Sequence, residues 1–240
     1  RRGVSLRDAG PPIALVVIVG IFAVLSSDFR TVGNVQNIMD AAAVLAVATC
    51  GISFVLMMGS IDLSVPGVMG AAAIAVSLLV ANNRNDNDWG LGGVLVAVLL
   101  GSLLGGLSGM ALVALKVPSF MTTLGVSAIG LGVATLMFAG VQPNISDEML
   151  RGWAVNRFLG LAYLTWIAMA CVLAGWLIQR YSRLGRYAYA IGGAEEVLAL
   201  SGVKVAPYKV AVFTLAGSFY ALAGVMVTSQ LSAGLVQAGK

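Results

Sequence analysis

The chain has 240 residues, of which 59% are hydrophobic and 10% charged, with 30 glycines and a formal net charge of +4; its mean hydropathy is +0.96. Soluble domains carry about 25% charged residues, so 14 basic and 10 acidic side chains cannot wet the surface of a globule this size. The composition excludes a soluble protein and implies an all-α polytopic bundle in a membrane. The absence of histidine removes serine–histidine and cysteine–histidine catalysis and histidine-held metal. Cys50 and Cys171 lie in separate apolar runs and read as small packing residues, with no metal set around them. Lys116, Lys204, Lys209 and Lys240 all lack the glycine-rich lead-in of a phosphate-binding loop. No cofactor is expected on this chain, and no nucleic-acid signal is present.

A bilayer core about 30 Å thick calls for about 20 apolar helical residues. Seven stretches meet or approach that length: 11–27, 41–59, 64–81, 90–115, 119–139, 161–178 and 208–231. Strand-like alternation does not recur, so an outer-membrane barrel is excluded, and each stretch is read as helix because lipid satisfies no backbone group. Residues 1–240 read as one transmembrane domain.

With the N-terminus cytoplasmic, alternation places 1–10, 60–63, 116–118 and 179–207 inside, and 28–40, 82–89, 140–160 and the C-terminus outside. The inner set then holds nine basic residues (Arg1, Arg2, Arg7, Lys116, Arg180, Arg183, Arg186, Lys204 and Lys209). The outer set holds Arg30, Arg84, Arg151 and Arg157, with Lys240 at the end. An excess of basic residues inside is the usual orientation signal.

The segment 179–207 is the most informative. Arg180, Arg183 and Arg186 directly follow a span, where they suit contact with anionic membrane lipid. Gly192 and Gly193 break the chain, 194–200 suits a short helix, and Gly202 can end it. Glu195 and Glu196 fall in its first turn, where the helix dipole favours negative charge. A capped amphipathic helix between two spans suits a partner's groove.

Three motifs now stand in order: Gly59-Ser60-Ile61-Asp62-Leu63-Ser64-Val65, then Val117-Pro118-Ser119-Phe120-Met121-Thr122-Thr123-Leu124-Gly125. The third is Gly185-Arg186-Tyr187 with Ala190–Gly193, Glu195-Glu196 and Ser201-Gly202-Val203. Together they resemble the permease subunits of ribose/xylose/arabinose/galactose-type ABC importers. Two departures stand out: Pro66-Gly67 follows Val65 where the family has glycine, and Val197 and Leu198 replace the alanines of the broader importer signature, whose spacing Glu196 and Gly202 keep.

The resemblance implies a monosaccharide permease of the cytoplasmic membrane that is not itself an enzyme, its ATP and magnesium used by a separate ATPase subunit. An extracytoplasmic sugar-binding protein and a second permease copy are the other implied partners. Arg186, Gly192, Gly193, Glu195, Glu196 and Gly202 become ATPase-coupling residues. It also implies further spans beyond Lys240.

Asp62 and Ser64 have two open readings. Either one caps the helix that follows, with Pro66 tolerated in its first turn, or they mark a broken helix beside the translocation path. A carboxylate at mid-membrane costs about 2.5–3.5 kcal/mol on insertion scales, so one of these must compensate it. Thr122 and Thr123 either bond back to their helix or meet sugar hydroxyls, and Phe120 either packs or lines the path.

Gly101, Gly105 and Gly109, at four-residue spacing, read as an intramolecular packing face. The loop 141–160 carries Trp153 and Phe158, expected at headgroup level. The competing function is a stand-alone secondary transporter or channel for a small polar solute, which calls for further membrane carboxylates; Asp62 is the one that this assignment of spans leaves in place.

Overall fold

A computed structural model describes residues 6–239; Arg1, Arg2 and Lys240 lie outside them. The described chain is helical almost throughout. It runs α1 (Leu6–Leu25), a 3-10 turn (Asp28–Arg30), α2 (Val32–Met57), α3 (Val65–Leu79), α4 (Leu91–Leu115), α5 (Ser119–Phe138) and α6 (Glu148–Val155). The two-residue strands β1 (Arg157–Phe158) and β2 (Leu161–Ala162) follow, then α7 (Tyr163–Tyr181), α8 (Arg183–Leu200) and α9 (Val205–Leu231).

All seven predicted stretches are helical, but among the described residues five helices (α2, α4, α5, α7 and α9) are long and apolar enough to cross a membrane. The apolar part of α1, Ala9–Leu25, and the 15-residue α3 are shorter. Two helices begin before their predicted stretches. Helix α2 begins at Val32, not 41: Thr31 caps it by accepting from the Asn34 N–H at 3.3 Å, and this carries Asp40 into the helix. Helix α9 begins at Val205, so that Val205, Ala206 and Pro207 precede the predicted stretch.

Helix α9 is the centre of the bundle, packed on α2, α3, α4, α6 and α8. Its buried face includes Phe213, Ala216, Gly217, Tyr220, Ala223 and Met226. The closest partner is α4, and glycine makes that closeness possible. A Cβ on Gly105 would meet the Phe213 carbonyl, one on Gly109 the Val210 backbone, and one on Gly101 Ala221 and the Gly217 carbonyl. The small-residue face of α4 is thus intramolecular, as its spacing predicts; between helices in lipid such backbone approach replaces the hydrophobic drive.

The loops collect at two ends, in the alternation that the spans predict. At one end Asn82 donates to the Ser77 and Val80 carbonyls at 2.9 and 2.8 Å, and the Asn144 N–H donates to Asn83 at 2.8 Å. Helix α6 lies at this end with Leu150 fully buried, and its carbonyl accepts from the Ser229 hydroxyl. Trp153 is half-buried against the core, while Phe158 is exposed and packs edge-on with Trp166. The other end gathers the turn after α2, the Lys116 turn and α8.

The stretch 232–239 does not remain at the loop end to which alternation assigns it. It turns back along α3, its Val236 carbonyl against Gly70 and Gly239 beside Pro66 and Met69. Irregular backbone of this kind is tolerated at membrane depth where protein covers it.

Candidate functional site

Two linked regions hold the predicted site residues. The first is the interruption between α2 and α3. Helix α2 stops at Met58, Gly59 takes φ +74°, and residues 60–64 run without helix to α3. Those backbone groups need partners, and α5 supplies them: the Ile61 N–H donates to Ser119 Oγ at 2.9 Å and the Leu63 N–H to Thr123 Oγ1 at 3.0 Å. Just beyond, a Cβ on Gly67 would strike the Ser127 backbone, and one on Gly130 the Gly67 backbone. Helices α3 and α5 are therefore locked backbone to backbone immediately after the break.

Asp62 closes this region. Its Oδ1 accepts from the Ser64 N–H at 2.8 Å and the Ser64 hydroxyl at 2.6 Å, and its Oδ2 accepts from the Tyr220 hydroxyl at 3.0 Å. Neither Asp62 nor Ser64 is a side-chain cap of α3, whose N-cap Ser64 makes no such bond; the pair organises the turn ahead of the helix instead. Pro66 does sit in the first turn, where its missing N–H is harmless. Tyr220 reaches Asp62 across α2 because Gly51 leaves room for its ring.

Thr122 is buried and bonds back to the Ser119 carbonyl at 2.9 Å. Thr123 bonds back to Phe120 at 3.3 Å while also accepting from Leu63. Phe120 is 40% exposed. Asp62, Ser64 and Thr123 thus converge on the break, whereas Thr122 and Phe120 belong to the adjoining turn of α5.

The second region is α8. The expected isolated helix over 194–200 proves to be the distal part of a longer element that starts at Arg183, where Ser182 Oγ accepts from the Gly185 N–H at 3.1 Å. The break falls at Ala194, with φ −163° and ψ 75°, directly after the glycine pair. Ahead of it, Ala188 and Ile191 are buried and the Tyr187 and Tyr208 rings lie 4.3 Å apart. A Cβ on Gly192 would meet the Met57 carbonyl, so α8 rests on the end of α2. Gly193 has open space around it.

Beyond the break, Glu195 and Glu196 part company. Glu195 Oε1 pairs with Lys209 Nζ of α9 at 2.7 Å. Glu196 is exposed, as are Val197 and Leu200. Gly202, at φ +83°, ends the segment as expected. Arg186 donates to the Tyr181 carbonyl at 3.2 Å, back across the α7–α8 elbow.

Among the described residues no cluster of three metal-ligating side chains occurs. Residues 34–239 match the family described as branched-chain amino acid transport system / permease component. The chain belongs to this permease family. The permease is 34% identical over 233 residues to the ribose import permease protein RbsC of Haemophilus influenzae, covering 95% of this chain and 70% of that one. It is 31% identical over 223 residues to the L-arabinose transport system permease protein AraH of Escherichia coli K12, covering 92% and 67%. It is 26% identical over 241 residues to the galactose/methyl galactoside permease MglC of Salmonella typhimurium, covering 94% and 72%. No solved structure matches. The resemblance carried by the three motifs is borne out.

Sequence reading missed Tyr220, Lys209 as a partner, and Asp40. Tyr220 and Asp40 each left a signal, a polar side chain at the edge of or within an apolar stretch. Asp40 lies within α2 and not in an outer loop; it accepts from Thr165 at 2.6 Å and pairs with Arg157 at 3.1 Å. The membrane helices therefore carry a second carboxylate, but one already neutralised.

Proposed function

We propose that this permease carries a ribose-like pentose or hexose into the cell across the cytoplasmic membrane, as the transmembrane subunit of an ABC importer. Its relatives are named for ribose, L-arabinose and galactose or methyl galactoside, and these names support a monosaccharide. A separate ATPase subunit binds the α8 end, a sugar-binding protein delivers cargo at the opposite end, and a second permease copy completes the pathway. The excess of basic residues at the α8 end supports placing that end, and the N-terminus, in the cytoplasm.

The observation that carries this reading is the break at Ala194. It frees Glu196, Val197 and Leu200 to face a partner, while Glu195 stays bound to α9. An apolar face with one charge is suited to a groove, and a helix that served the bundle alone would bury it. Arg186, Gly192, Gly193 and Gly202 shape and hold this element. On the transport side, Asp62, Ser64, Phe120, Thr122 and Thr123 border the path, because two non-helical stretches, 58–64 and 232–239, meet at the start of α3. Transporters place substrate against such interrupted helices.

The deciding experiment purifies the tagged permease from native membranes in mild detergent and identifies its stoichiometric companions. An ATPase with phosphate-loop motifs, and ATP-dependent sugar uptake once the assembly is reconstituted with its binding protein, is the expected result. A permease that emerges alone and transports in liposomes without ATP overturns the proposal in favour of a secondary carrier.

A further inference from the structure

We infer that Tyr220 is a positioning residue of the transport cycle: it ties Asp62 to α9, so that displacement of the distal part of α8 reaches the interruption before α3 by two routes that end on one carboxylate. The inference rests on the proposed importer function and adds to it the internal route from the partner-facing helix to the path.

The first route runs through α9. Glu195 is joined to Lys209 at 2.7 Å, and Lys209 and Tyr220 stand on one continuous helix. Eleven residues separate them, about three turns and about 16 Å, so both lie on nearly the same face. A shift of Glu195 along or around the α9 axis pulls on Lys209 through the ion pair, and from Lys209 to Tyr220 the helix is unbroken.

The second route runs through α2. Gly192 abuts the Met57 carbonyl, and Gly59 in turn lies against the Gly192 backbone. From that contact only the turn at Gly59 and the non-helical residues 60 and 61 lead to Asp62. The two routes act on different oxygens and neighbours of the same group. Tyr220 holds Oδ2 from the α9 side, while the backbone of the break carries Oδ1 and its bonds to Ser64. The Ile61 and Leu63 N–H bonds to α5 then set where the break can go.

Tyr220 is fully buried, and its ring is already accommodated against Gly51. Removing the hydroxyl alone keeps the packing and deletes the one side-chain bond from α9 to Asp62. A rigid link of this kind is distinguished from simple structural support by what fails. A structural tyrosine lowers stability and lowers import and ATP hydrolysis together. A positioning tyrosine lowers the sugar moved per ATP.

The test uses the permease assembled with its ATPase and binding protein in liposomes, and measures sugar imported and ATP hydrolysed in the same vesicles. Tyr220→Phe is expected to keep the rate of hydrolysis per folded assembly but to lower sugar per ATP at least about tenfold, the worth of a hydrogen bond to a charged group. Lys209→Gln is expected to lower the same ratio, and Lys209→Gln with Tyr220→Phe to lower it no further than the stronger single change, because both cut one route. The exchange Glu195→Lys with Lys209→Glu is expected to restore part of what Glu195→Lys loses. Wild-type sugar per ATP in Tyr220→Phe, or multiplicative losses in the double variant, overturns the inference. A wild-type permease that recruits no ATPase overturns the importer function instead, and the two failures are read from different samples.

Discussion

Arg157 Nη1 lies 3.1 Å from Asp40 Oδ2, and this pair fastens the short β1–β2 turn to the flank of α2. The carboxylate is also bonded by the Thr165 hydroxyl at 2.6 Å and the Ala162 N–H at 3.3 Å, while the Asp40 carbonyl accepts from Gln230 of α9 at 2.9 Å. Three elements that are far apart in sequence are thereby joined at the loop end of the bundle opposite α8. The Asp40 side chain is 16% exposed and that of Arg157 41%, so the two do not contribute equally.

Asp40→Ala is expected to destabilise the permease by about 1.5–3 kcal/mol, since it strands several donors at a partly buried acceptor. Arg157→Gln removes an exposed ion pair and is expected to lose at most about 1 kcal/mol. Thermal unfolding of both variants in the same detergent checks the order. Equal losses would show that Asp40 is not the centre of this network.

Glycines on α4 and α5 divide by position. Gly105→Ala forces a methyl group into the Phe213 carbonyl of α9, and such overpacking costs about 1–3 kcal/mol. Gly125 of α5 has nothing within 4 Å of a Cβ, and Gly125→Ala is expected to be neutral or slightly stabilising through helix propensity. Detergent stability of the two, read by size-exclusion after graded heating, separates a packing glycine from an open one.

The threonine pair on α5 offers a second contrast. Thr123→Val leaves the Leu63 N–H without its acceptor, an expected loss of about 1–3 kcal/mol. Thr122→Ser preserves the back-bond to Ser119 and is expected to be near neutral. If Thr123→Val is as stable as the wild type, the break before α3 does not depend on α5.

Glu196→Lys reverses the charge on the face of α8 that is free of the bundle. It is expected to abolish ATP-driven uptake and ATPase co-purification while insertion and thermal stability stay within about 0.5 kcal/mol of wild type, as for other exposed changes. Uptake at the wild-type rate in this variant would remove α8 as the partner-binding element.

Composition and local pattern determined most of the architecture. Apolar length located all seven helical stretches, because a backbone in lipid must satisfy itself. Glycine spacing identified the packed face of α4, because close helix approach is a matter of side-chain volume that the sequence states directly. The glycine pair placed the α8 break to within a residue, and Gly202 its end. The three motifs carried the family.

Tertiary structure decided the pairings. No local rule says that Asp62 meets a tyrosine 158 residues later, or that Asp40 meets Arg157. A buried or half-buried charge needs a partner, but which partner depends on the crossing of helices that the chain joins only through distant loops. The same physics lets a charge sit inside a helix: α2 extends back to Val32 and takes in Asp40, which Arg157 neutralises. It also separated Glu195 from Glu196. Adjacent in sequence and identical in chemistry, they take opposite tasks because a helix turns by about 100° per residue, so that one side chain meets Lys209 and the other leaves the bundle.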